Sequence, residues 1–119
     1  MSQTDKGNTI IPNSYQTPNY FVDVLMPLLP PSSNIILHAA CRKILGWENH
    51  RLTCTDRISL SQFMQLTGFS RSTVSKALTI LEKAHILIPT GEPNSQGREY
   101  LLNLKDRGVI SEGAIADLV

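Results

Sequence analysis

The apolar residues of this chain change period along its length, and the changes mark out its elements. Thr17-Pro18 offers a hydroxyl cap followed by a proline for a first turn, and the apolar run "NYFVDVLM" predicts a short helix stopped by Pro27 and the Pro30-Pro31 pair. Ser32 and Ser33 are expected to cap a second helix, "NIILHAACRKILGW", in which Ile36, Ala40 and Ile44, joined by Leu37, Cys41 and Leu45, recur at helical spacing until Gly46. "ENHRLTCTDR" is read as a polar loop, and the alternating "RISL" as a very short strand with Ile58 and Leu60 on one side. Ser61 is placed to cap a third helix, "QFMQLT", which Gly68 closes in a left-handed conformation. Ser70 caps a fourth helix that begins at Arg71.

Two capped helices about a tight glycine turn make the helix-turn-helix outline. Beyond them, "HILIP" and "YLLNL" flank the turn-rich "TGEPNSQGRE", which describes a β-hairpin, the wing behind the helix pair. The expected fold is therefore mainly α with a small β-hairpin, an α+β winged helix-turn-helix over residues 17–104. Residues 1–16 are read as a flexible arm and residues 105–119 as a tail or linker.

The fourth helix separates cleanly into faces. On a wheel advancing about 100° per residue, Val74, Ala77, Leu78 and Leu81 share one arc, bordered by Ile80 and Ala84, and belong to a core. Ser72, Ser75, Lys76 and Thr79 gather opposite, with Arg71 at the N-terminal edge and Thr73 flanking. Ser and Thr are mediocre helix formers, so a face made of them asks for a reason beyond solubility. Short hydroxyls let a helix come close to a surface and bond phosphates or base edges, and Arg71 and Lys76 reach guanine acceptors or the backbone. The unpaired amides beside Ser70 add a place for an anion. In the wing, Arg98 and the polar Asn94, Ser95 and Gln96 are the candidates for phosphate contact, diluted by Glu92 and Glu99.

Composition narrows the classes. The chain has 119 residues, 41% hydrophobic and 18% charged, with a net charge of +1. That size suits one domain, and near-neutrality argues against holding nucleic acid by bulk charge while leaving a local basic patch. No apolar run reaches the roughly 18 residues of a membrane span, and the N-terminus lacks a signal peptide's apolar stretch, so no membrane partner and a cytoplasmic location are expected. Cys41 and Cys54 lack metal or disulfide spacing and are read as reduced thiols, with no metal or other cofactor implied. His38, His50 and His85 lie in unrelated contexts, His85 as the end of the fourth helix, and no nucleophile with its base can be assembled. An enzyme is not expected.

"KILGW", a polar loop, and then "ISLSQFMQLTGFSRSTVSKALTILEKAHIL" resemble the N-terminal domain of phage replication protein O and related replication initiators. The resemblance spans roughly residues 18–88 and is carried by Gly46-Trp47, Ile58-Ser59-Leu60 and Thr67 to Val74. It implies a winged helix that binds repeated origin sequences in duplex DNA, with Arg71, Ser72, Thr73, Ser75 and Lys76 as readers and Val74, Leu78 and Leu81 as core. In such proteins a separate C-terminal region engages the replicative helicase, whereas here only about fifteen residues follow the wing. The "SRSTVSKAL" segment also resembles winged-helix regulators of the multiple-antibiotic-resistance and arsenic-repressor type, for which a homodimer is expected. A protein-interaction winged helix without DNA binding is the reading from another class.

Overall fold

A computed structural model describes residues 14, 15 and 17–103 of the chain. Most of the arm, residues 1–13 and 16, and the tail from residue 104 lie outside the described residues.

Pro27 does not end the first helix. The chain enters with Phe21 N–H bonded to the Pro18 carbonyl at 3.0 Å, runs through a π-helical stretch Phe21–Leu25, and continues into a short α-helical turn, α1 (Met26–Leu28). The Met26 N–H reaches back five residues to the Phe21 carbonyl. This wide turn leaves room for the Pro27 ring, which would crowd the carbonyl four residues back in a regular helix. Leu29 then turns extended, as the residue before a proline prefers. Thr17 bonds the Tyr15 phenol, and Tyr15 packs on the core.

The second helix, α2 (Pro31–Leu45), starts one residue before the expected serine caps, with Pro30 as cap and Pro31 in the first turn. Ser33 is instead fully buried, its hydroxyl donating to the Ala77 carbonyl at 3.4 Å. Asn34 pins the preceding segment by donating from Nδ2 to the carbonyls of Met26 and Leu29 at 3.0 and 3.1 Å.

The stretch expected as a polar loop holds two elements. They are α3 (Glu48–Thr53) and the start of β1 (Thr55–Ile58), the short strand expected at Arg57 set two residues earlier, and they are separated by Cys54 at a left-handed φ of 58°. Leu60 is consequently not in the strand but opens α4 (Leu60–Thr67). The cap of α4 is Ser59 rather than Ser61. Ser59 Oγ accepts from the Gln62 N–H at 3.1 Å while Gln62 Oε1 accepts from the Ser59 N–H at 2.8 Å, a reciprocal pair that satisfies two otherwise orphaned donors.

Gly68 closes α4 at φ 76°, as expected, and Ser70 caps α5 (Arg71–Lys83) by accepting from the Thr73 N–H at 3.3 Å. At the far end, His85 N–H bonds the Glu82 carbonyl and Ile86 N–H bonds the Leu81 carbonyl, with His85 at φ 60°. This is a Schellman closure, so His85 ends the helix through its backbone conformation rather than through its side chain's charge.

Two strands follow, β2 (Leu87–Pro89) and β3 (Arg98–Leu102). β3 is central in an antiparallel sheet of order β1-β3-β2, pairing Ile58 with Arg98 and Thr55 with Leu101 on one side, and Leu87 with Leu102 on the other. The expected hairpin is thus present and gains a third strand from the segment before α4. The core lies where α2, α4 and α5 meet this sheet: Ile36, Leu37, Ile44, Phe63, Val74, Leu81 and Ile86 are all sealed from solvent. Phe63 and Tyr100 meet edge to face at 6.3 Å across the join. The result is a helical α+β domain of winged-helix-like form.

Candidate nucleic-acid interface

α5 presents the face anticipated from its sequence. Val74, Ala77, Leu78, Leu81 and Ala84 are buried, whereas Ser70, Arg71, Ser72, Ser75, Lys76 and Thr79 are exposed and Thr73 is half-buried. The hydroxyls are not equivalent. Ser70 Oγ, besides capping, lies 3.0 Å from Thr73 Oγ1 and 3.3 Å from Ser72 Oγ, so these three form one linked cluster at the helix start. Thr79 donates its proton to the Ser75 carbonyl at 2.9 Å, which leaves its methyl group and oxygen lone pairs to meet a partner. The side chains of Arg71 and Lys76 form no hydrogen bond or ion pair within the described residues.

Arg98 sits differently from its expected place. It is the first residue of β3 rather than part of the loop, it is half-buried, and it pairs with Ile58 across the sheet. The loop itself closes tightly: Asn94 and Gly97 exchange backbone hydrogen bonds of 2.8 and 3.0 Å, and Asn94 Oδ1 accepts from the Gln96 N–H at 2.8 Å. Gly97, at φ 109°, lies so close to β1 that a Cβ there would fall 2.5 Å from the Ile58 carbonyl. Arg57 clamps the same turn, donating from Nη1 to the Gly97 carbonyl at 2.8 Å.

Between α5 and this turn runs a cleft of about 500 Å³. Arg71, Ser75, Thr79 and Glu82 line one wall, and Ser61, Asn94 and Arg98 the other. Glu82 is the member that reasoning from sequence missed. It stands three, seven and eleven residues after Thr79, Ser75 and Arg71, the spacing of one helix face, so the wheel held the signal. Burial raises its pKa, opposed by the charge of Arg98 and by the Tyr100 hydroxyl, which donates to it over a long 3.4 Å. Burial first, then the Glu82 carboxylate, pushes the Tyr100 phenol up to about 12. Arg98 Nε is buried without a hydrogen-bond partner among the described residues.

Elsewhere, Cys41 is buried and its thiol is pushed up to about 12 by that burial, and Cys54 is half-buried and free. Among the described residues no three His, Cys, Asp or Glu side chains gather to hold a metal ion. No described helix is long and apolar enough to cross a membrane.

Comparison with curated proteins and with solved structures finds no match to this chain. A family model does match, over residues 3–105, from before the first helix to beyond β3. With most of the chain covered, helix pair and sheet included, the protein belongs to the bacteriophage replication protein O family, which ties it to phage replication initiation.

Proposed function

We propose that this domain binds double-stranded DNA in a sequence-specific manner at a phage replication origin, with α5 in the major groove and the wing turn on the backbone. One observation carries the reading. Arg71, Ser72, Ser75, Lys76 and Thr79 share the exposed side of a helix whose other side is sealed into the core. Arg71 and Lys76 are assigned to guanine acceptors or phosphates, Ser72, Ser75 and Thr79 to close contact along the groove, and the Ser70–Thr73 cluster to a phosphate at the helix start. Arg98 serves the backbone that would pass through the cleft.

The test is binding to labelled duplexes selected from a random pool. The double change Arg71→Ala, Lys76→Ala is expected to weaken binding by about tenfold or more, with the thermal unfolding midpoint unchanged. Failure of every duplex to bind at low salt would overturn the reading in favour of a protein-interaction module, a role that the Glu82 carboxylate in the cleft would suit. The symmetry of the selected site separates two further roles. Direct repeats support a replication initiator, and an inverted repeat with half-sites about one helical turn apart supports a dimeric transcription regulator.

A further inference from the structure

A second, smaller site shares no lining residue with the α5 cleft. It encloses about 140 Å³ among Ser14, Tyr15, Arg42, Gly46 and Trp47. The Arg42 guanidinium carbon lies 5.6 Å from the centre of the Trp47 ring, within cation–π range. Gly46 makes this possible through space rather than through an unusual backbone angle. Its φ is an ordinary −77°, but a Cβ there would fall 2.5 Å from Arg42 Nη1 and 2.4 Å from the Arg42 carbonyl oxygen.

Trp47 does not seal the core. It is 55% exposed, an indole held open at the surface with a cation fixed beside it. Arg51 is exposed one helical turn further on, its N–H bonded to the Trp47 carbonyl at 2.8 Å. Asp56, in β1, is engaged by Lys43 at 4.0 Å and His50 at 3.5 Å.

We propose that Trp47, Arg42 and Tyr15 form a stacking site for one unpaired nucleobase of single-stranded DNA, with Arg51 taking an adjacent phosphate. An aromatic face accepts any base, because every base has a π-face, and the cations suit a polyanion better than an apolar peptide. The room is that of a single ring system. Duplex DNA cannot use such a site, since its base faces are already stacked on one another. This site does not depend on the α5 reading, and it gives the domain a separate means of sensing strand opening.

Trp47 is the only tryptophan in the chain, so its fluorescence reports on this site directly. A short single-stranded oligonucleotide is expected to quench it saturably. An intact duplex, or an abasic deoxyribose-phosphate strand of the same length, is expected not to. By anisotropy of a labelled strand, Trp47→Ala should weaken single-strand binding at least about fivefold, the worth of one stacked base. Gly46→Ala should weaken it as well by displacing Arg42, and Trp47→Phe should retain part of it. Equal quenching by the abasic strand, undiminished single-strand affinity in Trp47→Ala, or quenching by an apolar peptide but not by the oligonucleotide would each overturn the proposal.

Discussion

Gly68 and Gly97 both hold positive φ, 76° and 109°, but a methyl group meets different surroundings at the two positions. At Gly68 nothing among the described residues lies within 4 Å of the added carbon, so Gly68→Ala carries only backbone strain. That costs about 1 kcal/mol. At Gly97 the carbon would run into the backbone of Ile58 and Ser59 at 2.5 Å, and β1 or the wing turn must move. Urea unfolding should therefore show Gly97→Ala losing roughly 2 kcal/mol or more, well beyond Gly68→Ala. Gly68 was legible because it stands between two capped helices. The demand on Gly97 was not, since it comes from a strand forty residues earlier in the chain. Ser59 lies between these cases: the Ser-x-x-Gln spacing to Gln62 was present in the sequence, and Ser61 has no such partner three residues on.

Among the elements, α5 was the most readable, because its cap, its glycine turn and both its faces point to one answer. α3 was hidden, and β1 was seen only at its end. α3 buries little, and Leu52, its one aliphatic residue, is 79% exposed, so no apolar period announces it. The strand expected from Arg57 to Leu60 runs instead from Thr55 to Ile58, because Thr55-Asp56 reads as loop until β3 is available to pair with it. The candidate site was legible to the same degree, its open face fully and its cleft side only in part. Glu82 makes the cleft side testable. Burial raises its pKa, so the neutral carboxyl is the form the fold favours, and that stability is lost as pH rises through the raised folded value. Glu82→Gln should therefore melt together with the wild type below the ordinary carboxylate range and above it at neutral pH, as followed by thermal unfolding across pH.

For the molecule as a whole, a net charge of +1 means that binding cannot rest on a general positive field. Arg71, Lys76 and Arg98 supply the local charge around the cleft. If all three meet phosphates, the logarithm of duplex affinity should fall against the logarithm of salt with a slope of about −3, and the double change at Arg71 and Lys76 should bring it towards about −1. A much steeper slope would show that cations from elsewhere in the chain take part.

The sheet has one more bearing on how the molecule works. Leu102 N–H is bonded to the Cys54 carbonyl at 2.8 Å, so the chain enters β1 and leaves β3 at one point, and α4, α5 and the hairpin hang from that neck as a closed loop. A pull on the chain beyond residue 103 is shared by the two sides of β3, the β1 ladder on one and, on the other, the Asn103 N–H and Nδ2 bonded at 3.0 Å to the Ile86 and His85 carbonyls. His85 and Ile86 close the C-terminal end of α5, so load on the C-terminal side reaches that helix at its last turn and not only by way of α2 and α3.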